Sequence, residues 1–136
     1  MNKFEKRSAL QSFAVVCAAL LLAACAEMGM GMMQMPAKVS EGVLSNQAGM
    51  TLYTFDRDTS GTGKSVCNGP CAGLWPAFAA SADAKASGDW TIVTRDDGAR
   101  QWAYKGKPLY TFSKDVKAGD KTGDGFNNNI WHVAKS

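Results

Sequence analysis

Histidine is nearly missing from this 136-residue chain: His132 stands alone. One imidazole beside Trp131 in a strand-like run offers no nucleophile and base set of the Ser-His-Asp kind. The Cys-x-x-Cys-His pattern that haem attachment requires is absent as well. So is any apolar run of roughly 20 residues, the length needed to cross a bilayer. From Val39 onward no 3.6-residue period appears, which argues against a helical body. Charges of one sign do not cluster; they alternate, and no basic stripe exists for nucleic acid to bind. Finally, Asp115, Asp120 and Asp124 share one loop but miss the Asp-x-Asp-x-Asp-Gly spacing and the closing Glu of a calcium loop. Each of these Asp residues is expected to serve turn chemistry instead.

What the chain does have begins with an address. Lys3, Lys6 and Arg7 precede the apolar run Phe13–Ala24, the order of an export signal. The run ends in Leu22-Ala-Ala-Cys25, which resembles a bacterial lipobox, so residues 1–24 read as a signal peptide and Cys25 as the lipidation site. Ala26 follows the Cys, resembling outer-membrane sorting. Removal of residues 1–24 takes three cations and one anion, and the formal charge falls from +3 to +1. The four Cys then have separate fates. Cys17 leaves with the signal and Cys25 carries lipid. Cys67 and Cys71, spaced as Cys-Asn-Gly-Pro-Cys, are expected to form a short disulfide in an oxidising envelope. Residues 25–38 form a lipidated tether rich in Gly and in Met28, Met30, Met32, Met33 and Met35.

Beyond the tether the chain repeats itself. Gly49-Met-Thr-Leu-Tyr-Thr-Phe-Asp-Arg-Asp58 and Gly106-Lys-Pro-Leu-Tyr-Thr-Phe-Ser-Lys-Asp115 share Gly-x-x-Leu-Tyr-Thr-Phe-x-x-Asp. Each copy runs through a Gly-rich loop to a Trp, Trp75 and then Trp131. Residues 39–136 are therefore read as a duplicated all-β domain, with repeats of about 40–80 and 90–134. Val39–Leu44 and Thr51–Phe55 are expected to pair as a hairpin. A helical turn is expected over Cys71–Trp75, limited by Pro76. Ala79–Gly88 reads as an exposed loop. Trp90–Thr94 and Arg100–Tyr104 flank an Asp-Gly turn and read as a second hairpin. Gly106 is expected at positive φ, and Ile130–Ala134 as a closing strand. Two hairpin-rich, pseudo-symmetric halves would then share one core from Leu52, Phe55, Trp75, Phe78, Leu109, Phe112 and Trp131. Alternation puts Tyr53 and Phe55 on one face of their strand, Leu52 and Thr54 on the other.

The doubled Tyr-x-Phe-x-x-Asp (Tyr53, Phe55, Asp58; Tyr110, Phe112, Asp115) resembles the signature of a family of bacterial secreted-repeat lipoproteins. The Cys67…Cys71…Trp75-Pro76 segment and the Gly123-Asp-Gly125…Trp131-His132 ending are similar to that family too. The resemblance spans residues 40–134. It implies an envelope lipoprotein and supplies no mechanism, cofactor or partner.

Two functions from different classes follow. The first is a non-enzymatic binding or structural module, anchored in the outer membrane and facing the periplasm or the surface, with an envelope protein as partner. In it Asp58 and Asp115 accept bonds from loop N–H groups two or three residues on. The second is a periplasmic copper-binding or thiol-redox accessory protein. Soft donors select Cu(I), and Cys67, Cys71, His132 and the Met tract would supply them. A hydrolase ranks last; its mark would be a pocket gathering Tyr, Asp and His132.

Overall fold

A computed structural model describes residues 35–136. The expected signal peptide 1–24, the expected lipidation site Cys25, and Met28, Met30, Met32 and Met33 lie outside the described residues. In chain order the elements are β1 (Lys38–Ser40), β2 (Val43–Ser45), β3 (Tyr53–Phe55), α1 (Pro70–Leu74), β4 (Trp90–Thr94), β5 (Arg100–Tyr104), β6 (Lys107–Pro108), α2 (Phe126–Asn129), a single turn with left-handed Asn127 and Asn128, and β7 (Trp131–Val133). The strands form three small antiparallel sheets, β1-β2, β3-β7 and β4-β5-β6. This is an all-β, two-repeat domain. Ala37 is buried, and β1 opens at Lys38, one residue before Val39.

Local chemistry explains the hairpins. β4 and β5 pair from Trp90 opposite Tyr104 to Thr94 opposite Arg100, as the Asp-Gly step between them dictates. β1 and β2 turn through Glu41 and Gly42 at φ 52° and 76°. Two consecutive positive φ values define a two-residue I′ turn, which suits the twist of flanking strands. This turn corrects the expected pairing of Val39–Leu44 with Thr51–Phe55. The first run folds on itself, and the two stay linked only by a Ser45–Thr51 bridge and a Leu52 N–H to Leu44 carbonyl bond of 2.9 Å. β3 pairs instead with β7, Tyr53 opposite Val133 and Phe55 opposite Trp131. α1 is the expected helical turn; Pro70 occupies its first turn, where a missing N–H costs nothing.

Period-2 alternation then splits the core into two clusters, one on each face of the central strands. Tyr53, Cys67, Trp75, Tyr110, Phe112, Trp131 and Val133 make the first, with Phe55 packed against it. Leu44, Leu52, Trp90, Leu109 and Ala134 belong to the second, with Phe78 packed against it. The single core expected from sequence is thus two layers, and both repeats contribute to each. The first is packed too tightly for even one added methyl at Gly123: a Cβ there would lie 2.5 Å from Cη2 of Trp75.

Candidate functional site

At the centre of the domain the two signature tyrosines face each other. Tyr53 N–H donates to the Tyr110 carbonyl at 2.8 Å, and Tyr110 N–H to the Tyr53 carbonyl at 3.0 Å. This reciprocal pair marks a local two-fold axis between the repeats. Every signature side chain then reaches across it. The Tyr53 hydroxyl donates to Oδ2 of Asp115 at 2.6 Å, and the Tyr110 hydroxyl to Oδ2 of Asp58 at 2.5 Å. Rings follow the same rule. Phe55 stacks on Trp131 (centroids 4.2 Å, 14° between planes), Trp131 on Trp75 (3.8 Å, 4°) and Trp75 on Phe112 (4.1 Å, 24°). The result is a four-ring pile whose neighbours come from alternate repeats. Tyr53 and Tyr110 meet Trp75 and Trp131 edge-on at 5.2 and 5.1 Å, the arrangement ring quadrupoles favour.

Each motif Asp uses its other oxygen to hold its own loop. Oδ1 of Asp58 accepts the Val66 N–H at 2.7 Å, and Oδ1 of Asp115 accepts the Thr122 N–H at 3.0 Å and the Thr122 hydroxyl. The expected loop-holding role is there, but over seven or eight residues rather than two or three. The reason is that each loop must first clear the buried phenol from the other repeat. Burial, followed by the carboxylate partner, pushes both tyrosine hydroxyls well above the ordinary phenol value. Burial also raises the Asp58 carboxyl, opposed by its bonds from Tyr110 and Val66 and by the charge of Arg95.

Arg95 is where the symmetry ends. It is 7% exposed and has no counterpart in the second repeat's lock. Its Nη1 donates to Ser65 Oγ at 2.9 Å and Gln101 Oε1 at 2.7 Å, and its Nη2 to the Cys67 carbonyl. Ser65 Oγ in turn meets the Tyr110 hydroxyl at 2.6 Å, and Gln101 Nε2 donates to the Leu109 carbonyl at 2.7 Å. Arg95, Ser65 and Gln101 were not singled out by sequence reasoning. No spacing or motif marked them; Arg95 reads as one more charge before a polar turn.

The remaining candidates separate. Cys67 and Cys71 are disulfide-bonded. His132 sits between Trp131 and Val133 on β7, so alternation turns it away from the cluster that holds Cys67. Its Nε2 lies 2.8 Å from Oδ2 of Asp56. Met35 is exposed, and the other tether methionines lie outside the described residues. The copper donor set is therefore not brought together by the part described. A pocket of about 320 Å³ does gather Tyr104, Asp56 and His132, with Lys105 and Lys107 also in its lining, but the His132 ring is paired with Asp56 and no serine or cysteine lines it. Among the described residues no three His, Cys, Asp or Glu side chains group as cation ligands. Asp120 accepts from Val116 N–H, Lys117 N–H and Lys117 Nζ, and Asp124 accepts from Val133 N–H. The Lys117 ammonium, then the two N–H bonds, hold the Asp120 carboxyl down to about 2.

One concave surface adjoins the ring pile. A cleft of about 570 Å³ is lined at depth by Trp75 and Trp131, and further out by Phe55, Leu74, Phe126 and Ile130. Cys71 of the disulfide, Arg57 and Asn127 also line it. The pile ends unequally here: Phe112 is 3% exposed, whereas its counterpart Phe55 is half-buried.

A family model described as a secreted repeat of unknown function matches twice, over residues 37–79 and 91–135. No curated protein and no solved structure matches the chain. The two matched segments each contribute one tyrosine, one carboxylate, one Phe and one Trp to the interlocked centre. The chain belongs to this family of secreted repeats.

Proposed function

We propose that the domain is a non-enzymatic binding or structural module, held at the cell envelope by lipid on Cys25. The observation that carries this reading is the reciprocal lock. Tyr53, Tyr110, Asp58 and Asp115 are buried and spend their polar atoms on one another and on their own loops. Such groups specify a rigid arrangement; a substrate has no access to them. The disulfide and Arg95 stiffen the same centre on the side of the first repeat. A rigid scaffold of this kind presents its surface with little ordering cost on binding.

The outer-membrane, lipid-anchored placement rests on Leu22-Ala-Ala-Cys25 and on membership of a secreted family. Detergent phase partitioning of the protein expressed in a bacterial host tests it. The native chain is expected in the detergent phase and Cys25→Ser in the aqueous phase; equal partitioning contradicts lipidation. A pull-down from envelope extract, compared with a lipid-anchor control, tests the module reading. Enrichment of an envelope component above the control supports it, and none above the control counts against it.

A further inference from the structure

The cleft at the Phe55 end of the ring pile has the composition of a small-molecule site: mostly aromatic and aliphatic lining with few polar groups. Its volume falls in the range of about 300–1,000 Å³ usual for ligand pockets. Three independent features say what it takes. First, Phe55, Trp131 and Trp75 are nearly parallel, and the half-buried outermost ring, Phe55, lacks the cover its counterpart Phe112 has. A flat apolar body fits against the exposed part of Phe55 and the edges of the two Trp rings, since ring edges and faces both make favourable aromatic contacts.

Second, the lining includes one charge, the Arg57 guanidinium. Arg57 is exposed and has neither a hydrogen bond nor an ion pair among the described residues. Its acidic neighbours are committed elsewhere, Asp56 to His132 and Asp58 to Tyr110. A guanidinium matches a carboxylate fork to fork. With no second cation in the lining, a monoanion is the balanced guest.

Third, the rim is strained. Asn127, Asn128 and Asn129 hold φ of 54°, 58° and 64° in succession. Left-handed conformations outside glycine normally occur as single residues, at roughly 1–2 kcal/mol each. Here the run is braced by the Gly125 N–H to Trp131 carbonyl bond and the Asp56 N–H to Ile130 carbonyl bond. It keeps Phe126 and Ile130 packed on the pile and Asn127 on the cleft. Strain of this sort collects at ligand clamps.

We infer that this cleft binds a small organic monoanion, a flat apolar body bearing one carboxylate, which packs against Phe55 and the Trp ring edges and pairs with Arg57. The inference deepens the binding-module reading and rests on it. Isothermal titration calorimetry of the purified protein tests it with three probes: 2-naphthoate, the neutral 2-naphthylmethanol, and acetate. Naphthoate is expected to bind with a dissociation constant of about 1 mM or below. The alcohol should bind about fivefold more weakly, the worth of one exposed ion pair, and acetate should not saturate.

Arg57→Gln should abolish the difference between acid and alcohol, while Lys135→Gln, the same charge change outside the cleft, leaves it. Val66→Ser, at an exposed position in the lining, should weaken both aromatic probes alike. Equal affinity for acid and alcohol, an unaffected Arg57→Gln, or no saturable binding would each overturn the assignment. These titrations do not involve lipid or a protein partner, so they fail separately from the partitioning and pull-down experiments.

Discussion

Tyr53 and Tyr110 each bury a phenol that donates to a carboxylate of the other repeat, which makes each hydroxyl sensitive to deletion and to alkali. Tyr53→Phe leaves Oδ2 of Asp115 and the Gly123 N–H short of a partner. The expected loss is about 1–3 kcal/mol, read from urea unfolding, and Tyr110→Phe should cost a similar amount. The pH effect follows from the raised tyrosines. Above about pH 10 unfolded tyrosines ionise while the two folded ones keep their protons. The unfolded state then binds fewer protons, so stability falls as pH rises, by about 1.4 kcal/mol per pH unit for each tyrosine. Tyr53→Phe should remove about half a proton from that slope at about pH 10 and nearly one at about pH 11; an unchanged slope contradicts the buried lock. Sequence pointed to these residues because the motif is written twice. It could not show that the bonds cross over, since a local reach from Asp58 or Asp115 to its own turn fits the spacing equally well. Arg95 was invisible for the opposite reason: its burial depends on the Ser65–Cys67 segment, about thirty residues earlier in the chain, meeting Gln101 of β5 around it.

At the level of elements, the parts legible in advance are those fixed by neighbours in sequence. The β4-β5 hairpin follows from Asp-Gly, and α1 from Pro70 at its start and Pro76 beyond its end. β3 shows the limit. Three residues, Tyr53–Phe55, carry no information about which strand they will join, and aromatic stacking with Trp131 selects β7 over the nearer Val39–Leu44 run. Glu41-Gly42 inside that run was the missed sign that it bends. The disulfide belongs to this scale too. Closing so short a loop should stabilise by about 2 kcal/mol in the chain-entropy account. Arg95 Nη2 also holds the Cys67 carbonyl, so the segment keeps a second tie when the bond is cut. Reduction, or Cys67→Ser with Cys71→Ser, should therefore lower the thermal midpoint while the near-ultraviolet signal of the stacked Trp pair persists at 25 °C. Loss of that signal on reduction would mean that the disulfide, and not the lock, organises the centre.

For the molecule as a whole, the duplication produces a closed two-fold arrangement inside one chain. Both core clusters draw on both repeats, both phenols cross over, and the ring pile alternates between them. Neither repeat can then open without exposing the other's tyrosine and tryptophan, and the domain should unfold as one unit. The cleft lies where this symmetry is imperfect, at Phe55, and that is the place sequence reasoning could not find: Phe55 and Phe112 are identical in motif and differ only in what covers them. Native-state hydrogen exchange on Tyr53→Phe tests the interlock most directly. The account predicts that amides of β3 and α1 in the first repeat and of β7 in the second lose protection together, by the same free energy. A variant in which one repeat exchanges freely while the other keeps its full protection would contradict it.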